Sequence, residues 1–131
     1  MSKPVILCVD DEQTILKSLK AQIKGYFGDT YNYEVAENAD DALELVEELV
    51  EENVKIVIVV SDWLMPGMKG DELLIEIHKK FPNIVTVMLT GQADKTAVER
   101  AYELANLHGC LRKPWSDEDL LSLLKSALAM T

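Results

Sequence analysis

Five polar side chains stand where apolar runs stop. Asp10 and Asp11 follow the run Pro4 to Val9, and Asp62 follows Val57-Ile58-Val59-Val60-Ser61. Thr90 closes Ile84 to Leu89, and Lys113 closes His108 to Arg112. Three carboxylates brought together repel one another and need a cation to stay ionised. An all-oxygen ligand set suits a hard ion such as Mg²⁺ (or Mn²⁺), which keeps several waters and shares carboxylates with a phosphate. A lysine ammonium is a point charge on a flexible stem, suited to a phosphoryl oxygen, and a threonine hydroxyl can donate to another. A carboxylate is ionised at neutral pH, so it can act as nucleophile without a histidine base and form an aspartyl phosphate. Phosphoryl transfer asks mainly for positioning and charge neutralisation.

The elements that must position these groups follow from the pattern of the chain. An unalternated β-branched run such as Lys55 to Ser61 reads as a strand buried on both faces, the kind found in parallel sheets. Four such strands are expected: Pro4–Val9, Lys55–Ser61, Ile84–Leu89 and the short His108–Arg112. Tyr31 to Ala36 alternates polar and apolar residues, as an edge strand does. Between and after them lie helices over Gln13–Lys24, from a cap at Asn38 or Asp40 onward, over Asp71–Lys80, over Asp94–Ala105, and after a Ser116 cap. Their expected buried stripes are Ile15, Leu16, Leu19 and Ile23; Ala42, Leu45, Val46 and Leu49; Leu74, Ile77 and Phe81; Ala97, Val98, Ala101 and Leu104; and Leu120, Leu121, Leu124 and Leu128. Strand–helix alternation five times over gives a doubly wound α/β sheet. In open sheets of that kind ligands bind beyond the carboxyl ends of the strands, where the five polar residues sit.

Composition narrows the classes. The 131 residues suit a single domain, core about 4–129, with a formal charge of −10 from 13 basic and 23 acidic residues. That balance argues against direct contact with nucleic acid or an anionic membrane. No apolar stretch approaches the ~20 residues of a membrane span, and Met1-Ser2-Lys3-Pro4 lacks a signal-peptide plan, so a cytoplasmic location is expected. Cys8 and Cys110 lie in apolar runs, and buried, reduced thiols are expected. With two histidines, His78 and His108, a zinc site is not expected. The acid run Glu44, Glu47, Glu48, Glu51 and Glu52 reads as a solvated helix face.

The motifs Cys8-Val9-Asp10-Asp11-Glu12, Asp62-Trp63-Leu64-Met65-Pro66-Gly67-Met68-Lys69-Gly70, Leu89-Thr90-Gly91 and Leu111-Arg112-Lys113-Pro114 resemble, in order and over essentially the whole chain, the receiver domain of two-component response regulators. The resemblance implies a flavodoxin-like (βα)5 fold with strand order 2-1-3-4-5 and Asp62 as phosphoacceptor, fed by a histidine kinase or histidine phosphotransfer protein. It implies Asp11, Asp62 and the Leu64 backbone carbonyl as metal ligands, with Asp10 acting mostly through water. Thr90 would be the switch hydroxyl and Lys113 the phosphate-pairing lysine, followed by a cis peptide to Pro114. It implies a signalling domain that supports its own phosphorylation and dephosphorylation, not an enzyme. With strands one and five three steps apart, roughly 14 Å at ~4.8 Å per step, no disulfide joins Cys8 to Cys110.

The sequence departs from that family at Cys110, where Tyr or Phe usually stands. Signalling through the face of helix 4, strand 5 and helix 5, to an effector or a second copy, is then expected to use Tyr102, Trp115 or backbone shifts. Leu64 and Gln92 flank the expected path of attacking water, and the apolar Leu64 cannot orient it. Trp63 and Gly91 flank the same site. A phosphatase of the haloacid dehalogenase type is the alternative, since it shares Asp, Thr, Lys and Mg²⁺. Asp62-Trp63-Leu64 lacks that class's second acid, and no cap domain is present. A flavodoxin-like nucleotide site is remote, because Asp10-Asp11-Glu12-Gln13 is acidic where a phosphate cradle needs glycines. The chain ends just past its last helix, which fits either a stand-alone regulator or the amino-terminal part of a longer protein.

Overall fold

A computed structural model describes residues 2–91 and 95–131. Strands β1 (Val5–Val9), β2 (Asn32–Ala36), β3 (Ile56–Asp62), β4 (Val85–Thr90) and β5 (Gly109–Arg112) form one parallel sheet in the order β2-β1-β3-β4-β5. Helices α1 (Gln13–Phe27), α2 (Ala39–Glu51), α3 (Gly70–Lys80), α4 (Lys95–Leu104) and α5 (Asp117–Leu128) separate and follow the strands. β1 and β3 are buried at every position, as unalternated runs demand. Successive side chains of these strands therefore serve two cores. Ile6, Cys8, Ile58 and Val60 meet Leu16, Leu19 and Ile23 of α1 and Leu120 and Leu124 of α5. Leu7, Val9 and Val59 meet Ala42 and Val46 of α2 and Leu73, Leu74 and Ile77 of α3.

Helix starts follow their caps. The Asn38 side chain accepts from the Asp41 N–H at 2.8 Å, and Ser116 accepts from the Asp119 N–H at 3.1 Å. Each satisfies a donor the first helical turn would leave open. Gly25 and Gly28 are expected to bracket the exit of the first helix; α1 runs past Lys24 and through Gly25 and ends at the second of them, Gly28, whose φ of 59° suits glycine. Two buried-stripe expectations need correction. Leu104 is 47% exposed, because the inner seam of α4 runs through Ala97 and Ala101 to Ala105, four residues apart. Ile15, Leu45, Leu49, Phe81, Val98, Leu121 and Leu128 are only partly buried, whereas the small residues Ala39 and Ala127 are buried.

The two thiols are free, but they differ. Cys8 is fully enclosed, and burial pushes its pKa up to about 12. Cys110 lies on an edge strand and is only partly buried, which corrects the expectation of two buried thiols. Burial also raises its pKa, against a lowering contribution from Arg112. The thiolate is the reactive form. Iodoacetamide at pH 8 is therefore expected to label native protein once, at Cys110, with Cys8 reacting only after unfolding. Two labels arriving together on native protein, read by intact mass, would contradict this burial.

Candidate acidic site at the carboxyl rim of the sheet

The register brings the predicted residues to one rim. Val9 pairs with Ser61, Asp62 with Leu89, and Thr90 with Arg112. The chain positions that follow or end these rows are Asp10, Asp62, Thr90 and Lys113. Asp10 is fully buried, Asp62 is 5% exposed, Thr90 is 6% exposed, and Asp11 is exposed. One carboxylate oxygen from each of Asp10, Asp11 and Asp62 lies within 4.8 Å of the others.

Lys113 ties two of the acids together. Its ammonium lies 2.9 Å from Asp10 Oδ2 and 3.1 Å from Asp62 Oδ1. The other oxygen of Asp10, Oδ1, accepts the Glu12 N–H at 2.9 Å. Both Asp10 oxygens are thus engaged, whereas Asp11 faces solvent. Burial raises the Asp62 pKa above the usual carboxylate range, and the Asp10 charge adds to this, against the hydrogen bond and charge of Lys113. Burial opposes the Lys113 ammonium, but its hydrogen bonds to Asp10 and Asp62 outweigh that and raise its pKa. Each side of the cluster therefore depends on the other for its charge. The set fits a divalent cation: it consists of hard oxygen donors at close range, partly open to water, with more negative charge than one lysine neutralises.

Backbone contacts hold the rim. The Lys113 N–H donates to the Thr90 carbonyl at 2.8 Å, and the Lys113–Pro114 peptide is cis. The Trp63 N–H donates to the Leu89 carbonyl at 2.9 Å, and the Gly70 N–H donates to the Trp63 carbonyl at 2.8 Å. Leu64 is 55% exposed and Gly91 is exposed; Gln92 lies outside the described residues. Trp115 is half-buried and donates from Nε1 to Gln22 Oε1 at 3.1 Å, pinning the β5–α5 turn to α1. His108 shares a hydrogen bond with Ser126 at 2.9 Å, away from the acids.

Three residues beside the site escaped the reading of the sequence. Asp71 is 3% exposed and accepts the Trp63 indole N–H at 3.0 Å; Arg100 reaches its other oxygen at 3.4 Å. Lys69 lies 5.1 Å from the centre of the Trp63 ring. A signal for Asp71 was present: it precedes Leu74 and Ile75 by three and four residues, which puts an acid on the buried stripe of α3.

The response regulator receiver domain family matches residues 6–125. Among curated proteins, the sensor kinase CckA of Brucella abortus is 34% identical over 97% of this chain, which spans 13% of that protein. A CpxR homolog of Haemophilus influenzae is 31% identical over 98% of this chain, which spans 51% of that protein. The chain thus spans about half or less of the length of these relatives. Among solved structures, the signal receiver domain of an HD domain-containing protein from Pseudomonas fluorescens Pf-5 superposes with a TM-score of 0.85. It is 31% identical, and the match covers 97% of this chain and 95% of that one. A receiver domain protein from Methanospirillum hungatei JF-1 gives a TM-score of 0.83 at 32% identity, covering 98% and 95%. No helix among the described residues is long and apolar enough to cross a membrane. With its strand order, its acidic rim and a match over residues 6–125, the chain belongs to the receiver domain family of two-component response regulators.

Proposed function

We propose that Asp62 is the phosphoacceptor of a cytoplasmic signalling switch, loaded from a phosphohistidine on a kinase or phosphotransfer protein. The observation that carries this reading is the Lys113 ammonium set between Asp10 and Asp62 in a three-carboxylate cluster. In the transfer an Asp62 oxygen attacks phosphorus, the P–N bond breaks, and the imidazole leaves with the electron pair and takes up a proton. Lys113 then turns from Asp62 to the phosphoryl oxygens, which a flexible ammonium can do with little strain.

Asp11, Asp62 and the Leu64 carbonyl would hold Mg²⁺ (or Mn²⁺) directly, and Asp10, whose oxygens are engaged by Glu12 and Lys113, through water. Bound there, the ion neutralises charge on the phosphoryl oxygens. Thr90, at the end of the adjacent strand, would donate its hydroxyl to the phosphoryl group. A groove lined by Ile15, Ser18, Gln22, Lys113, Pro114 and Trp115 adjoins the site through Lys113 and would receive the donor protein. Output would pass to an effector or a second copy over the face of α4, β5 and α5, where Tyr102 and Leu104 are about half exposed.

Acetyl phosphate with Mg²⁺ is expected to add one phosphoryl group to the wild type and none to Asp62→Asn, read by intact mass. An adduct on the variant, or none on either protein, would overturn the assignment.

A further inference from the structure

Asp71 is a buried carboxylate with no part in the acid cluster. It is the second residue of α3, and its side chain is 4% exposed. A buried carboxylate costs several kcal/mol unless it is well partnered. Here its two oxygens look in two directions. Oδ1 takes the indole N–H of Trp63, the residue directly after the acceptor, at 3.0 Å. Oδ2 faces the guanidinium of Arg100, on α4, at 3.4 Å. Lys69 sits against the Trp63 ring at 5.1 Å from its centre, within range of a cation–π attraction.

Trp63 is also fixed through its backbone, which hydrogen-bonds to Leu89 of β4 and Gly70 of α3. Its backbone is therefore tied to the end of β3. At Arg100 the opposite holds: the side chain is 51% exposed and the contact is long. The Asp71–Arg100 pair is thus a long, half-exposed connection between the strand end and α4.

We propose that Asp71 is a positioning residue that conveys the state of Asp62 to α4, following Trp63 with one oxygen and holding Arg100 with the other. This rests on the reading of Asp62 as phosphoacceptor. A phosphoryl group on Asp62 replaces the carboxylate's single charge with a bulkier, roughly doubly charged group at the strand end. Trp63 follows the displacement, and the hold of Asp71 on Arg100 changes with it.

The test uses wild type, Asp71→Asn and Arg100→Gln, each also in a Trp115→Phe background that leaves Trp63 as the one tryptophan. Asparagine keeps an acceptor for the indole, cannot accept from Arg100 and buries no unpaired charge; Arg100→Gln changes a half-exposed site if the first variant folds poorly. Adduct formation with acetyl phosphate and Mg²⁺ is read by mass, Trp63 by its emission, and α4 (95–104) by amide hydrogen exchange. In wild type, phosphorylation is expected to change α4 exchange about fivefold or more, the low end of ordinary allosteric coupling. In both variants the adduct and the Trp63 response are expected to persist while the α4 change is lost. An α4 response equal to wild type in the variants overturns the proposal, as does a fully phosphorylated wild type whose α4 does not respond. Absence of adduct from wild type overturns the phosphoacceptor reading, and this inference with it.

Discussion

Gly70→Ala is expected to lower the stability of the fold by about 3 kcal/mol, the upper end of the cost of overpacking. A Cβ at Gly70 would collide with the Asp62 carbonyl oxygen and come within 2.9 Å of both the Asp62 carbonyl carbon and the Trp63 Cα. These are backbone atoms of a strand held on both sides, so no rotamer change relieves the overlap. Either α3 withdraws and the Gly70–Trp63 hydrogen bond is lost, or the strand end shifts and takes Asp62 with it. The melting temperature should fall by about 10 °C, scaling the energy by the entropy of unfolding of a domain of this size. Gly25→Ala is the control: a Cβ there meets nothing within 4 Å, on an exposed turn of α1. It should raise stability by roughly 0.5–1 kcal/mol by removing backbone freedom from the unfolded chain. Equal melting temperatures for the two variants would mean that α3 does not brace the end of β3.

That brace marks the boundary of what the chain discloses on reading. β1, β3 and β4 are legible because a run of β-branched residues without alternation has one comfortable environment, between two layers of helices. The rim follows, since parallel strands all end on one side and carry Asp10, Asp62 and Thr90 there. Where two apolar stripes compete, the pattern misleads. Val98 and Leu104 look as fit for the core as Ala97 and Ala101, yet α4 packs mainly on α3 with the alanine seam innermost, which turns Leu104 outward. Asp71 was hidden for another reason. Acids are common in the first turn of a helix, where the backbone dipole welcomes them, and only the fold reveals that this one is enclosed between Trp63 and Arg100. Helix propensity misleads at Gly25, where packing of Ile23 and the residues beyond carries α1 through to Gly28.

Lys113→Met should separate the two electrostatic duties of the site by moving them in opposite directions. The lysine ammonium lies against Asp10 and Asp62, where it competes with any divalent ion held by the same carboxylates. A +1 and a +2 charge roughly 5 Å apart repel by about 1.5 kcal/mol even at the dielectric of bulk water. Its removal should therefore tighten Mg²⁺ or Mn²⁺ binding about tenfold. Methionine keeps the stem's volume but offers nothing to a phosphoryl oxygen. Phosphorylation by acetyl phosphate should slow on the order of a hundredfold, the usual loss when one fixed charge-stabilising donor is removed. Metal titration followed by tryptophan emission gives the first quantity, and the rate of adduct formation by intact mass gives the second. If both binding and rate fell together, Lys113 would be acting only as a strut that holds the carboxylates apart. Tighter metal with slower transfer is the outcome that a mobile counter-charge requires, because such an ammonium would offset the acids and then follow a phosphoryl group onto Asp62.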